Sequence, residues 1–305
     1  MTGGTGAATA CDAGGGCGRC PLTVAPMSRG MIPTDPRMTM TLPRISAIIS
    51  DLDGVAYRGE TPIPEAVRAF RYWYEQGLPY AFVTNNSTRS AGEFAAKLNG
   101  MGIPATPDRI VTTSAAVAER LRETMPAGAR VMVIGAPSLV AAVEARGFQI
   151  ADTDVAAVVV GLDREFTFDK LQKAQTALLG GARFFGTNPD RMPPHGDGFE
   201  PGAGSILAAI ETASGVMPLV IGKPQPDLIR MALHILGSDP ATTFMLGDQI
   251  ETDIIAGQAT GLKTILVRTG VPPRQVPGVH PDIDIASLSD LAFHMAHEGQ
   301  PALRP

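Results

Sequence analysis

The chain has 305 residues, a formal net charge of −5 and 44% hydrophobic residues. That length suits one large domain or two modest ones, with ample apolar content for a core. The mildly acidic balance, without a basic cluster, argues against nucleic acid as the main partner, and no apolar run is long enough to span a bilayer, so a soluble chain without a membrane partner is expected.

Residues 1–37 differ in composition from the rest of the chain, being rich in Gly, Ala, Thr and Pro with little periodicity and no apolar stretch of the kind a secretory signal needs. All three cysteines lie here, at Cys11, Cys17 and Cys20. Cys17-Gly-Arg-Cys20 has the spacing of half a zinc site or of a redox pair, but no second pair completes a zinc site. The segment cannot bury enough apolar surface to fold. It reads as a disordered tail or an upstream extension, with Met38 and Met40 as candidate starts. Beyond Cys20 there is no cysteine and hence no disulfide in the folded part, which fits a cytoplasmic protein.

From residue 44 strands and helices alternate. Residues 45–49 read as a strand, and 64–76 as a helix with Pro64 suited to its first turn and Gly77 to its stop. A short strand follows at 80–83, and Ser90-Ala-Gly-Glu93 fits a capping box for a helix to about Asn99. Helix 114–125, strand 130–134 and helix 137–146 come next. The continuous apolar run 155–160 reads as a strand buried on both faces. Then come helix 168–179, strand 183–186, helix 204–213, strand 217–221 and helix 226–236. Strand 243–246, helix 252–260, strand 263–267 and a last strand and helix within 282–296 complete the series. Such alternation predicts an α/β fold with a doubly wound, Rossmann-like parallel sheet.

In such sheets working residues gather beyond the carboxyl ends of the strands. Four expected strands end suitably, at Asp51, Thr84, Lys223 and Asp248. Asp51-Leu52-Asp53-Gly54 places two carboxylates two residues apart, so that both point the same way in an extended chain. Like charges that close repel. A divalent cation explains them, or a task needing one ionised and one protonated acid. Gly54 lets the backbone turn beside a ligand.

Thr84-Asn85-Asn86-Ser87 offers a hydroxyl and free N–H groups between strand and helix, which suits an anion seat or an ordinary capped turn. Gly222-Lys223-Pro224-Gln225-Pro226 brings a compact positive charge in a stiff turn, but lacks the spacing of a nucleotide P-loop. Gly247-Asp248 ends a central strand, and Asp253 is placed to cap the following helix or to support the site. Magnesium takes a few carboxylates plus water and phosphate, and Asp51 and Asp248 could supply them. An acidic metal site, an anion seat and a lysine together describe phosphoryl transfer, which is largely positioning plus electrostatic stabilisation. No Ser or Cys nucleophile is signalled, and neither His195 nor His234 has an interpretable partner, so a carboxylate nucleophile is the economical choice.

These four ordered motifs, Asp51-Leu-Asp53-Gly-Val, Phe82-Val-Thr84-Asn-Asn, Gly222-Lys223-Pro-Gln-Pro and Gly247-Asp248 with Thr252-Asp253, resemble those of the haloacid dehalogenase superfamily of phosphatases. The NagD-like branch is the nearest in pattern, with its p-nitrophenyl, pyridoxal-phosphate and phosphoglycolate phosphatases. The resemblance spans about residues 44–275. It implies that Asp51 attacks phosphorus to form an aspartyl-phosphate. Asp53 would protonate the leaving oxygen, then activate water, and touch the metal through its backbone carbonyl. Thr84 and Lys223 would hold the phosphoryl group with the N–H of Asn85. Asp51, Asp53 and Asp248 would make the magnesium site, supported by Asp253.

The resemblance also implies a catalytic core over 38–126 and 217–305, with an inserted α/β cap of the C2 type at 127–216 that closes over the site. Thr187-Asn188-Pro189-Asp190-Arg191 would be its substrate-facing part, with Asn188, Asp190 and Arg191 as candidate contacts, or else a Pro- and Gly-rich connector. The expected ligand is a small phosphorylated metabolite. A homo-oligomer is left open. Two competing readings are a phospho-acceptor regulator and a metabolite sensor without turnover. Against the first stand Asp53 and the large insertion; against the second, every expected catalytic position is filled.

Overall fold

Successive residues of the first strand, Ile48 and Ile49, belong to two different apolar clusters in the computed structural model, which describes residues 45–195, 198–289 and 291. This period of two is what a strand covered on both faces requires. Ile48 joins Phe82, Phe244 and Ile265 against helices Pro64–Glu75 and Ala91–Gly100, through Phe70, Trp73, Phe94 and Leu98. Ile49 joins Ala81, Val83 and Met245 against helices Thr113–Thr124 and Asp227–Leu236, through Val117, Leu121, Leu228 and Ile229. The expected capping box forms, with Ser90 N–H donating to Glu93 at 2.7 Å and Glu93 N–H donating to Ser90 Oγ at 3.3 Å.

The first sheet is six-stranded and parallel, in the order Ile283–Ile285, Lys263–Val267, Thr243–Gly247, Ala47–Ser50, Tyr80–Thr84, Ile110–Thr112. Strand Ala47–Ser50 pairs on one side with the next core strand in the chain and on the other with one that comes nearly two hundred residues later. The order therefore reverses at this strand, and a doubly wound sheet opens its crevice there.

A second parallel sheet, in the order Leu219–Val220, Arg183–Gly186, Ala157–Val160, Arg130–Ile134, Gln149–Ile150, is built from the intervening chain. One face, through Val131, Val159 and Phe185, continues the apolar cluster of the first sheet. The other packs Met132, Val158 and Phe184 against helices Phe168–Leu179 and Ala203–Ser214.

Two expectations need correction. The strand at 217–221 is not a core strand: Leu219 and Val220 pair with Phe185 and Gly186, at the edge of the second sheet, so that sheet reaches past residue 216. An apolar run states that it is a strand, not which sheet it joins. The helix expected from Thr252 begins earlier, as a π-turn at Ile250–Ile254, and becomes α-helical only over Ile255–Ala259. Residues 1–37 with their cysteines, and most of the segment where a last helix is expected, lie outside the described residues. Among the described residues no helix is long and apolar enough to cross a membrane.

Candidate active site

Asp51 follows the first strand directly, its N–H donating to Leu246 O at 2.8 Å, so the backbone ladder carries it alongside the end of the neighbouring strand. Asp248 follows that neighbour directly. Lys223 enters from the turn after Leu219–Val220, through a cis Lys223–Pro224 bond. Its Nζ lies 2.7 Å from both Asp51 Oδ1 and Asp253 Oδ1, and the lysine is only 2% exposed. Three of the four expected strand-end groups thus converge, and Asp253 joins them.

Asp253 engages both its oxygens. Oδ1 takes Lys223, and Oδ2 accepts the N–H groups of Asp248 at 3.1 Å and Gln249 at 3.0 Å. The π-turn makes this reach geometric: Gln249 O accepts from both Asp253 N and Ile254 N, which widens the first turn and turns Asp253 back over the strand end. Wide turns of this kind recur at working sites. One side chain thus holds both Lys223 and two backbone N–H groups at the strand end.

Asp51, Asp248 and Asp253 place one carboxylate oxygen each within 4.8 Å of one another. A single lysine faces them. Burial, and then the neighbouring Asp253 and Asp248, hold Asp51 well above the ordinary carboxylate range, although Lys223 works the other way. Burial, then Asp253, pushes Asp248 up to about 7. Burial alone would lower Lys223, but Asp253 and Asp51 outweigh it and hold its pKa raised. Three acids against one base leave a deficit of positive charge. Asp51 Oδ2 and Asp248 Oδ1 accept no hydrogen bond among the described residues. The donor set, hard oxygens with unmatched negative charge, fits a divalent cation. The side chain of Asp53 is not in this cluster.

Asp53 is exposed, while Leu52 between the two acids is fully buried. Desolvation in the recess nevertheless raises the Asp53 carboxyl, against the pull of Lys97. The buried Tyr57 lies beside it, with Lys97 Nζ 3.9 Å from the centre of the tyrosine ring. Gly54 adopts φ +79°, and a side chain there would collide with the Asp248 carboxylate.

Thr84 is buried at 3% exposure, and Asn86 N–H donates to its Oγ1 at 3.1 Å. The Asn86 side chain closes a local turn, accepting from Thr88 N–H and Oγ1 at 2.8 Å each. Asn85 Nδ2 donates to Lys223 O at 3.0 Å and to Asp190 Oδ2 at 3.4 Å. In the segment after strand Arg183–Gly186, Asn188 is buried with its amide engaged inside the protein. Asp190 is half-buried, and burial raises its carboxyl against the Asn85 hydrogen bond. Arg191 is exposed, and its carbonyl accepts from Gly202 N–H and Ser205 Oγ.

Sequence reasoning missed Gln249, Thr269 and Gly270. Gln249 Nε2 donates to Asp248 Oδ2 at 3.0 Å and to Val271 O at 3.2 Å. Thr269 Oγ1 donates to Gly54 O at 2.6 Å, and a side chain at Gly270 would strike the Asp248 carboxylate. Gln249 follows Asp248 directly, which was the one available signal; the other two stand over two hundred residues from Gly54.

Family comparison matches the two segments that carry these groups. Residues 48–149 fit a haloacid dehalogenase-like hydrolase model, and residues 220–291 a second, HAD-hydrolase-like one. An acid sugar phosphatase of Staphylococcus saprophyticus is 41% identical over 230 residues, covering 75% of this chain and 88% of that protein. The chain belongs to the haloacid dehalogenase-like hydrolases. Among solved structures of this family, NagD from E. coli K-12 matches with a TM-score of 0.74 and 33% identity, over 80% of this chain and 97% of that one. The glycerol phosphate phosphatase Rv1692 from Mycobacterium tuberculosis, solved in complex with calcium, matches with a TM-score of 0.74 and 33% identity over 80% of this chain and 73% of that one. This member is an enzyme, a haloacid dehalogenase-type phosphatase of the NagD-like branch.

Proposed function

We propose that this phosphatase is magnesium-dependent and hydrolyses small phosphorylated metabolites through a phosphoryl group carried on Asp51. The observation that carries the reading is the meeting of Asp51, Lys223 and Asp253 at 2.7 Å contacts, with Asp248 alongside. Asp51 attacks phosphorus with a carboxylate oxygen, the bond from phosphorus to the leaving oxygen breaks, and Asp53 donates its proton to that oxygen. Asp53, now ionised, takes a proton from water as the water attacks the phosphoryl group and frees Asp51. Thr84 and the N–H of Asn85 hold the phosphoryl oxygens, and Lys223 offsets their charge. Asp253 fixes Lys223, while Asn86, Asp190 and Arg191 border the crevice. Magnesium, held by Asp51 and Asp248 with the Asp53 carbonyl, would supply Lewis-acid charge neutralisation. Phosphoryl transfer needs little beyond such positioning and charge.

The metal assignment is supported by the unmatched carboxylates and by a relative solved with calcium. The names of relatives offer sugar phosphates, nucleotides and glycerol phosphate as candidate substrates. The test is phosphate release from a panel of phosphorylated metabolites and p-nitrophenyl phosphate, with magnesium or chelator, beside Asp51→Asn. Release that chelator stops and the substitution abolishes is expected. Absence of release from every substrate with magnesium present would overturn the reading and favour a phospho-acceptor regulator or a metabolite sensor.

A further inference from the structure

We propose that Asn188, just past the end of strand Arg183–Gly186 of the second sheet, is a positioning residue that sets the direction of the Thr84 hydroxyl through the backbone of Asn85. The assignment rests on the phosphatase reading above. It replaces substrate contact, the role that the position of Asn188 in the sequence suggests.

Asn188 is 6% exposed, and both ends of its amide are engaged within the protein. Nδ2 donates to Asn85 O at 2.7 Å, with a longer contact to Thr187 Oγ1 at 3.4 Å, and Oδ1 accepts Asp190 N–H at 3.1 Å. The partners decide the orientation of the amide. A backbone N–H can only donate and a carbonyl can only accept. Both polar atoms of the side chain are thus already engaged within the protein.

The Asn85 carbonyl also accepts from Thr113 Oγ1 at 2.9 Å, so both its lone pairs are taken. A peptide group is a rigid plane, with the carbonyl and the next N–H on opposite edges. Holding the Asn85 carbonyl therefore holds the N–H of Asn86, which donates to Thr84 Oγ1 at 3.1 Å. That bond occupies an acceptor position of the threonine oxygen and leaves its proton to be donated elsewhere. A phosphoryl oxygen is the acceptor that the proposed reaction supplies. The line runs from the Asn188 amide through one peptide plane to the Thr84 hydroxyl. The same residue, Asn85, ties into the lysine turn through Lys223 O at 3.0 Å. The second sheet thereby orients the group that holds the phosphoryl, without touching substrate.

The phosphoryl group is common to all substrates, whereas the leaving group is not. A loss that acts through Thr84 must therefore be the same factor on every substrate, and must vanish once the hydroxyl is gone. The experiment measures kcat/KM of Asn188→Ala, Thr113→Val, Thr84→Val and the doubles on p-nitrophenyl phosphate, glycerol phosphate and a hexose phosphate. Binding of inorganic phosphate by calorimetry accompanies it. Thr113→Val is nearly isosteric and frees the same carbonyl, so it serves if Asn188→Ala does not fold. Asn188→Ala is expected to lower kcat/KM about tenfold to a hundredfold, equally on the three substrates. In the Thr84→Val background it should change kcat/KM less than about twofold, and phosphate affinity should follow the same pattern. Additive losses, or losses that differ several-fold between substrates, would overturn the assignment while leaving the phosphatase reading intact. A wild-type protein that neither turns over substrate nor binds phosphate would instead remove the phosphatase reading, and this assignment with it.

Discussion

Lys223 and Asp253 form a fully enclosed ion pair, Nζ to Oδ1 at 2.7 Å, with the lysine 2% and the aspartate 0% exposed. Removing one partner of such a pair leaves an uncompensated charge in a dry setting, which is far more costly than the pair itself is stabilising. Asp253→Asn also sets an amide donor against either Lys223 or the N–H groups of Asp248 and Gln249. It is expected to reduce unfolding free energy by about 3 kcal/mol in urea titration and to lower turnover sharply. A change below about 1 kcal/mol would mean that the pair does not hold the lysine in place.

The unmatched acids make stability depend on pH and on metal. The Asp248 carboxyl titrates at about 7 in the folded state against the ordinary value near 4 when unfolded. Between those values the native state holds more protons than the unfolded one, so stability falls as pH rises through that window. The raised Asp51 acts in the same direction. In chelator the melting temperature should be higher at pH 5 than at pH 8. Magnesium should restore several degrees at pH 8 and fewer at pH 5, because only the ionised acids bind it. Equal melting temperatures in chelator at both pH values, unmoved by magnesium, would refute the charge deficit.

Asp53 is exposed and stands apart from the acidic cluster, and the proposed reaction uses it to protonate the departing oxygen. Asp53→Asn should cost about 10²–10⁴-fold in kcat on alkyl phosphates. The loss should be much smaller on p-nitrophenyl phosphate, whose leaving group needs little protonation. Equal losses on both would assign Asp53 a structural role instead.

The capping box at Ser90 and Glu93 serves the fold and lies outside the acidic cluster. Ser90→Ala should lower stability by about 1 kcal/mol, seen as a small fall in urea midpoint, with kcat unchanged. A loss of activity without a loss of stability would connect this helix to the chemistry.

Long periodic segments were the legible part of the fold, because a buried helix or strand repeats its pattern several times. Helix Phe168–Leu179 and strand Arg183–Gly186 lie where the sequence places them. The pairs Tyr57–Arg58 with Thr61–Pro62 and Pro194–His195 with Gly198–Phe199 are strands of two residues, too short to show any period. In the site, Asp51 and Asp248 were legible because strand ends converge in a doubly wound sheet, whereas Lys223 arrives from a strand at the edge of the second sheet. The packing of Gly54 and Gly270 around Asp248 was not, since glycine declares no chemistry and the contact crosses more than two hundred residues. Asn188 was legible as a residue of interest. The partner of its amide depends on how the second sheet sits over the turn after Thr84, which no local pattern states.

The central strand Ala47–Ser50 waits for Thr243–Gly247 to complete its pairing, while the second sheet is made wholly of the chain between them. During synthesis the second sheet is complete before the core and can form on local contacts, whereas the core is a late, long-range closure. A nascent chain that has reached residue 240 already displays Asp51, Thr84 and Lys223, but not Asp248 or Asp253. Asp51 therefore exists for much of translation without the acids that complete the acidic cluster, and the full cluster of Asp51, Asp248 and Asp253 arrives only with the final fifth of the chain.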